Sequence, residues 1–299
     1  GTVEGCVMSI GNFDGVHLGH RRIIECLKAK SVQENKTGVI TFIPHTRVHP
    51  EKGGEELLTT LEQRLALLDD LGISFCWLCR FDRGLARMTA RQFAETILSE
   101  NLGVNGVCVG EGFRFGKDRA GTVTSLKNIG KQFGFRVYRV PHVRIDGKKV
   151  SSSNTRRYLR EGKVEKAAEM LGRDYRLTGT VIPGRGEGKT LGFPTANFNP
   201  EQLMPAAGVY AAEIELEREN YPGLLYLGTR PTFPDNTNKK PLAEAYIFDW
   251  EGNLYNRRIK VSLKKRLRGD IRFNDAEALI RRIREDERRT RKLLDDKDV

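Results

Sequence analysis

The sequence predicts an α/β fold in its first part and a small antiparallel β-barrel in its second part, within a chain of 299 residues. The length suits about two domains, and strand-like and helix-like runs alternate in the first part. After residue 175 the chain contains short β-like runs separated by Gly, Pro and Asn. We therefore expect a doubly wound parallel sheet over residues 1–172 and a barrel domain with a closing helix over residues 173–299.

In the first part, apolar runs bounded by turn residues indicate strands at 6–10, 38–42, 73–78, 104–109 and 135–140. Helical spacing of apolar residues indicates helices at 20–30, 58–71, 89–98 and 123–133. Thr89 is the candidate N-cap of the third of these helices. Residues 152–172 fit one or two further helices, which we interpret as a connector that belongs to the first domain.

In the second part, β-like runs occur at 177–182, 208–216, 224–228, 243–250 and 257–263. Several short strands separated by turn residues are typical of a small barrel or sandwich. A final helix is predicted over residues 275–294, where apolar residues recur at helical spacing. The two parts therefore differ in fold class.

Asp286 lies on the apolar stripe of this last helix. The stripe consists of Leu279, Ile280, Ile283, Leu293 and Leu294. An inward-facing carboxylate is costly unless it is paired, and Arg268 and Arg291 are the candidate partners. A solvated helix end would explain the same pattern.

Composition and charge narrow the function classes. Hydrophobic residues make up 38% of the chain, which is enough for packed cores. No run of about 20 apolar residues occurs, and the first five residues do not resemble a signal peptide, so we expect no membrane span and no secretory signal.

Five cysteines, all before residue 109, favour reduced thiols in a cytoplasmic protein. A net charge of +12 suits nucleic acid or phosphorylated small molecules such as ATP.

The segment from Gly11 to His20 is the first candidate site. It follows a predicted strand and opens a predicted helix, where backbone N–H groups and the helix dipole favour a phosphate. His17 and His20 are three residues apart and face the same way on a helical turn, and Gly19 leaves room for a nucleotide. Two imidazoles there suit the stabilisation of charge on a transferring phosphoryl group. Without the surrounding residues, the pair would more simply be two solvent-exposed histidines on a capped helix.

In its context this segment resembles the HxGH nucleotidyltransferases, which have a Rossmann-like fold, and among them the bacterial bifunctional riboflavin kinase/FAD synthetases. Segments 41–45, 58–62, 110–116 and 151–156 also resemble motifs of that family. The resemblance implies that this half transfers AMP from ATP to the phosphate of FMN and releases pyrophosphate.

The same resemblance implies roles for individual residues. His17 and His20 would stabilise the α-phosphate of ATP. The expected ATP- and phosphate-binding residues are Gly11, Phe13, Asp14, Gly19, Ser152, Ser153 and Arg156, and the expected flavin-binding residues are Phe113, Arg114 and Phe115. The sequence departs from the family pattern at Gly112, Ser153 and Asn154.

The segment from Gly188 to Asn197 is the second candidate site. Its glycines allow the backbone to approach phosphates. If the segment is extended, Thr195 and Asn197 point to the same face and offer a hydroxyl and an amide oxygen to a hard cation. An ordinary polar strand would also explain that pair alone. The overlapping run 184–190 does not form a P-loop, because Pro183 stands where the first glycine is required.

This decamer resembles the riboflavin kinase signature, with Lys189 in place of the usual Arg. The resemblance continues in order at 208–210, 228–233, 243–250 and 254–255. It implies that Glu244 is the base for the ribityl 5′-hydroxyl of riboflavin. The other implied roles are phosphate binding by Gly188 and Lys189, ligation of ATP-borne Mg²⁺ by Thr195 and Asn197, and flavin binding by Asp286 and Arg291.

We therefore expect an enzyme with two activities on riboflavin, FMN and ATP, with Mg²⁺ as its metal, acting as a monomer or weak homo-oligomer. One alternative is a riboflavin kinase whose FAD synthetase half is weak or inactive, because of the departures named above. A second alternative is a basic nucleic-acid-binding protein. Acidic residues interleave with the arginines of the last helix and no aromatic platform accompanies them, so we expect neither nucleic acid nor a membrane as partner.

Overall fold

The structure is a computed structural model that describes residues 5–31, 37–46, 56–184, 187–228 and 242–295, without the side chains of Glu187, Lys189 and Leu242. The predicted motif residues 229–233 and the predicted phosphate contact of the Lys189 side chain lie outside this description. The chain divides into two compact units, Gly1–Ser152 and Ser153–Val299. The domain boundary near residue 173 remains a prediction.

The first unit contains a parallel five-stranded sheet with strand order β3-β2-β1-β4-β7. Its strands are β1 (Val7–Ile10), β2 (Thr37–Ile43), β3 (Phe75–Arg80), β4 (Gly106–Gly110) and β7 (Arg136–Val140), and its short hairpin strands are β5 (Arg114–Phe115), β6 (Gly121–Thr122), β8 (Arg144–Ile145) and β9 (Lys148–Lys149). The helices are α1 (Leu18–Lys30), α2 (Leu61–Asp70), α3 (Arg83–Arg87), α4 (Ala90–Gln92, continued by the π-helical turns Phe93–Asn101) and α5 (Val123–Phe133). This arrangement confirms the predicted Rossmann-like α/β fold.

Local sequence determines where these helices begin. Thr89 caps α4 by accepting a hydrogen bond from the Gln92 amide, as predicted. Thr60 caps α2 in a reciprocal capping box with Gln63. The helix predicted from residue 58 therefore starts at Leu61, because residues 58 and 59 make other contacts that belong to the candidate site.

The second unit is built on a closed antiparallel barrel with strand order β10-β11-β14-β13-β12-β15, which confirms the predicted barrel. The strands are β10 (Tyr175–Ile182), β11 (Thr195–Phe198), β12 (Gly208–Leu216), β13 (Glu219–Gly228), β14 (Leu242–Ile247) and β15 (Arg258–Arg268). The helices are α6 (Ser152–Arg160), α7 (Val164–Leu171), α8 (Glu187–Thr190) and α9 (Ala276–Asp295). The closing helix α9 packs against β12 and β13.

None of the helices within the described ranges is long and apolar enough to span a membrane. All five cysteines are free thiols. The Cys26 and Cys108 sulfurs are 3.6 Å apart, and burial raises the pKa of the Cys108 thiol.

Candidate active sites

His17 and His20 stand together at the start of α1. His17 is the N-cap residue, and its Nδ1 accepts a hydrogen bond from the His20 amide at 3.2 Å. The two imidazole rings stack with centroids 3.7 Å apart and planes 12° apart. The structure thus brings both predicted histidines to one helix N-terminus, where the dipole favours an anion.

Gly19 allows this stacking. A Cβ atom at position 19 would lie 3.1 Å from the His17 ring and 3.5 Å from the carbonyl oxygen of Val150. A side chain at position 19 would therefore press on the His17 ring. This close packing gives a physical reason for a glycine between the two histidines.

Asp14 fixes the loop between β1 and α1. Its carboxylate is 1% exposed and accepts hydrogen bonds from the amides of Leu58 and Thr59 and from the Thr59 hydroxyl. Its carbonyl oxygen accepts a hydrogen bond from the Ser152 hydroxyl at 2.9 Å. The carboxylate predicted to bind ATP thus faces the α2 entry segment, and residues 58 and 59 are held by it instead of extending the helix.

Arg64 stabilises the same loop through hydrogen bonds that pass by way of Thr41, a role that no sequence motif indicates. Its guanidinium donates to the Thr41 hydroxyl at 3.1 Å, and that hydroxyl donates to the Asn12 carbonyl oxygen at 3.1 Å. Arg64 is 2% exposed, and burial lowers the pKa of its guanidinium although the Asp14 charge opposes this. The loop is thereby attached to both β2 and α2.

A cavity of about 390 Å³ adjoins this loop within the first unit. Gly11 and Asn12 line it together with the predicted flavin residues Phe113, Arg114 and Phe115. The Phe113 and Phe115 rings stack at 5.4 Å. Its remaining apolar wall includes Phe42, which belongs to the motif segment 41–45, and Phe81 and Phe93, which belong to no recognised motif. The cavity has the aromatic lining that a flat ring system requires.

Gly112 lies between this cavity and a cluster of charged residues. A Cβ atom at Gly112 would lie 3.2 Å from the His142 ring and 3.6 Å from the Lys149 ammonium. Lys149 Nζ and His142 Nε2 are 2.7 Å apart, and burial lowers the pKa of both groups. Glu111 Oε1 is 3.7 Å from His142 Nε2. A carboxylate is therefore present beside position 112 although the residue there is glycine.

Ser153 and Arg156 lie on α6, which begins at Ser152, the last residue of the first unit. Arg156 is 2% exposed. Their predicted contact with ATP phosphates remains a prediction.

The second candidate site is built on one row of residues that crosses five neighbouring barrel strands. Asn197 lies opposite Glu244, Glu244 opposite Tyr226, Tyr226 opposite Val209, and Val209 opposite Arg268. Directly opposed residues place their side chains on the same face of the sheet. On β11, β13 and β14 the residues that flank the row along the strands are at most 9% exposed, namely Ala196, Phe198, Leu225, Leu227, Ala243 and Ala245. The row therefore lies on the outer barrel face, on the side opposite these buried residues.

Thr195, Asn197 and Glu244 form a cluster of oxygen-bearing groups at one end of this row. The Thr195 hydroxyl donates to Glu244 Oε2 at 3.4 Å. Gly188 lies against this cluster, since a Cβ atom there would be 3.0 Å from Thr195 Oγ1. The extended conformation of β11 that the metal prediction required is present.

A cavity of about 150 Å³ lies between the barrel face and α9 and joins this cluster to Asp286. It is lined by Glu244, Tyr226, Arg268 and Asp286, and its apolar walls include Val209, Leu224 and Ile283. The cavity thus combines three carboxylates, Glu244, Asp270 and Asp286, with apolar sides, which suits a ligand that has a polar chain and a flat apolar body.

Asp286 is fully buried, as its place on the apolar stripe predicts. Arg268 Nε donates to Asp286 Oδ2 at 2.7 Å, and Arg282 Nε lies 3.7 Å from Oδ1. Of the two candidate partners, Arg268 therefore forms the pair. Arg291 instead binds Asp249 and Glu287, and these hydrogen bonds raise the pKa of its guanidinium.

Replacing Arg268 with Met is expected to lower the free energy of unfolding of the second unit by about 3 kcal/mol, because a buried carboxylate loses its partner. Urea unfolding followed by Trp250 fluorescence in a Trp77→Phe background measures this change. Arg258→Met is the matched control on the same strand, since its pair with Glu201 is exposed and is worth about 0–1 kcal/mol. Equal destabilisation by both variants would contradict the assignment.

Comparison with known proteins identifies the family. The FAD synthetase family model matches residues 2–154, and the riboflavin kinase family model matches residues 171–294. The chain is 34% identical over 295 residues to the bifunctional riboflavin kinase/FMN adenylyltransferase of Escherichia coli strain K12, covering 97% of this chain and 93% of that protein. The chain belongs to the bifunctional riboflavin kinase/FMN adenylyltransferase family. The predicted family is therefore confirmed.

Other members of the bifunctional family and one solved structure agree with this assignment. The Bacillus subtilis strain 168 relative is 33% identical over 286 residues, covering 94% of this chain and 90% of that protein. A Streptococcus pneumoniae crystal structure described as a macrolide-efflux protein has a TM-score of 0.86 at 28% identity, covering 97% of this chain and 95% of that chain. That likeness supports the fold over nearly the whole chain.

Proposed function

We propose that the chain phosphorylates riboflavin with ATP to give FMN and adenylylates FMN with ATP to give FAD. The observation that carries this proposal is that both family matches coincide with a cavity of suitable chemistry in the same part of the chain. None of the comparisons favours a kinase with an inactive transferase half or a nucleic-acid-binding protein.

Glu244 is the proposed general base of the kinase reaction. It would accept the proton of the riboflavin 5′-hydroxyl as that oxygen attacks the γ-phosphorus of ATP, with ADP as the leaving group. Thr195 orients the carboxylate through its hydroxyl, which donates to Oε2. Helix α9 covers the apolar part of the cavity and reduces the access of water to the phosphoryl group.

Thr195 and Asn197 are the proposed ligands of the Mg²⁺ that ATP carries. The described residues contain no group of three or more His, Cys, Asp or Glu side chains that could hold a metal. The Thr195 hydroxyl, the Asn197 amide and the nearby Glu244 carboxylate offer oxygen ligands, which hard cations prefer. The remaining ligands of the Mg²⁺ would come from phosphate and water. When bound, Mg²⁺ would neutralise charge on the phosphates.

His17 and His20 are the proposed charge-stabilising groups of the transferase reaction. A phosphate oxygen of FMN would attack the α-phosphorus of ATP and displace pyrophosphate, without a covalent enzyme intermediate. The start of α1 would offer its dipole and the two imidazoles to the α-phosphate. The proposed nucleotide site is completed by Gly11, Phe13, Gly19 and Ser152, and the proposed flavin site consists of Phe113, Arg114 and Phe115. The phosphate contacts of Ser153 and Arg156 stay predictions.

We further propose a cytoplasmic protein that acts as a monomer or weak homo-oligomer and has no nucleic-acid partner. The arginines of α9 support the last point, because Arg282 pairs with Glu285, and Arg291 with Asp249 and Glu287. Such mixed-sign pairing leaves fewer cations for a phosphate backbone.

Chelation of divalent cations with EDTA is expected to stop both reactions, and added Mg²⁺ is expected to restore them. Chromatography of the products from riboflavin plus ATP, and separately from FMN plus ATP, measures each reaction. Ca²⁺ at the same concentration serves as the control. We expect it to restore less of either reaction than Mg²⁺ does, because it prefers more ligands and a larger site. FMN formation that persists without divalent cations would contradict the metal proposal, and failure to form FMN with Mg²⁺ present would contradict the kinase function.

A further inference from the structure

Tyr226 lies inside the kinase cavity although it belongs to none of the recognised motifs. It is directly opposite Glu244 on one neighbouring strand and Val209 on the other, and Arg268 lies opposite Val209 on the next strand. Since adjacent strands are about 4.8 Å apart, Tyr226 stands one strand from the proposed base and two strands from the arginine that pairs with Asp286. It thus occupies the middle of the cavity wall.

The phenol ring is held in a fixed position. Its hydroxyl donates to Asp270 Oδ2 and Oδ1 at 3.2 and 3.3 Å. Gly228 lies two residues further along the same face of β13, and a Cβ atom there would collide with this hydroxyl. Asp270 also lines the cavity, so Tyr226 presents its ring to a ligand while its hydroxyl is bound to Asp270.

Riboflavin has two chemically different parts, a polyhydroxylated ribityl chain that ends in the reacting hydroxyl and a flat isoalloxazine ring. With the reacting hydroxyl at Glu244, the ribityl chain separates that position from the ring. Tyr226 is next to Glu244 in the row and would therefore face the ribityl chain. The apolar walls towards Ile283 and Asp286 would then face the ring. The C–H groups of such a chain pack well on an aromatic side chain.

We propose that Tyr226 is a specificity-determining residue of the kinase site. Its ring contacts the ribityl chain and directs the terminal hydroxyl to Glu244, while Asp270 fixes the ring. This inference rests on the proposed kinase function.

The test compares riboflavin with lumiflavin, which has the same ring and a methyl group in place of the ribityl chain. Inhibition of FMN formation by lumiflavin reports on the kinase site alone, so flavin bound in the transferase half does not interfere. Tyr226→Ala is expected to raise the KM for riboflavin about tenfold, which corresponds to about 1.4 kcal/mol, and to change the lumiflavin inhibition constant less than about twofold. Tyr226→Phe keeps the ring but loses the hydrogen bond to Asp270, so it is expected to raise the KM for riboflavin less than Tyr226→Ala does and to change the lumiflavin inhibition constant less than about twofold.

Equal weakening of both flavins by Tyr226→Ala, or an unchanged KM for riboflavin, would overturn the proposal. Circular dichroism and thermal unfolding establish that each variant is folded, and adenylylation of supplied FMN reports on the first unit only. If the alanine variant is unfolded, Tyr226→Leu replaces it, because leucine fills much of the volume without an aromatic face. Wild-type protein that forms no FMN would contradict the kinase function itself, whereas normal wild-type kinetics with an unaffected alanine variant would contradict only the role of Tyr226.

Discussion

Glu244→Gln is expected to reduce FMN formation from riboflavin by about 10²–10⁴-fold, the usual contribution of a general base. Glutamine has nearly the same shape and can still accept a hydrogen bond from the Thr195 hydroxyl, but it cannot take up the substrate proton. The effect should therefore appear mainly in kcat. Initial rates of FMN formation, measured by chromatography at saturating riboflavin and ATP, provide the test.

Glu215→Gln is a suitable control for this experiment. Glu215 is a barrel glutamate that pairs with Arg176 and Lys260 and does not line the cavity. We expect its variant to form FMN at close to the wild-type rate and the Glu244 variant to adenylylate supplied FMN normally. A Glu244→Gln rate within about threefold of wild type would be incompatible with a general base at this position.

His17→Asn is expected to reduce FAD formation from FMN by about 10²–10³-fold, the range seen when one charge-stabilising donor is removed. Asparagine is among the preferred N-cap residues, so the substitution can preserve the start of α1 while it removes the imidazole. The change then tests the charge-stabilising role separately from helix capping. Rates of FAD formation at saturating FMN and ATP measure the effect.

The kinase reaction provides the internal control for the histidine variant. Because Glu244 and its cavity lie in the other compact unit, riboflavin phosphorylation should proceed at the wild-type rate. Loss of both activities in a folded His17→Asn protein would contradict the separation of the two sites. His20→Asn should behave as His17→Asn does, since the two rings stack.

The sequence predicts features whose cause is local. Alternating strand and helix patterns indicate the parallel sheet, and the Thr89 cap depends on Gln92, three residues away. The burial of Asp286 follows from its place on an apolar stripe within one helix. In each case the determining residues are close together in the chain, so their spacing contains the necessary information.

Features that depend on register or on distant elements could not be predicted in this way. Tyr226 enters the kinase cavity only because β13 pairs with β14 in one particular register. The choice of Arg268 over Arg291 depends on where β15 ends relative to α9. Asp14 matches a motif, but the orientation of its carboxylate depends on a segment 44 residues later in the chain. These contacts are determined by tertiary packing.

The central claim is that one chain catalyses two independent flavin reactions. Mixing the Glu244→Gln and His17→Asn proteins tests this claim most directly. With riboflavin, ATP and Mg²⁺, the Glu244→Gln protein alone should accumulate neither product, and the His17→Asn protein alone should accumulate FMN. The mixture should form FAD, because FMN released by one protein is the substrate of the other. A mixture that forms no FAD, although each protein retains its remaining activity when assayed separately, would contradict this account.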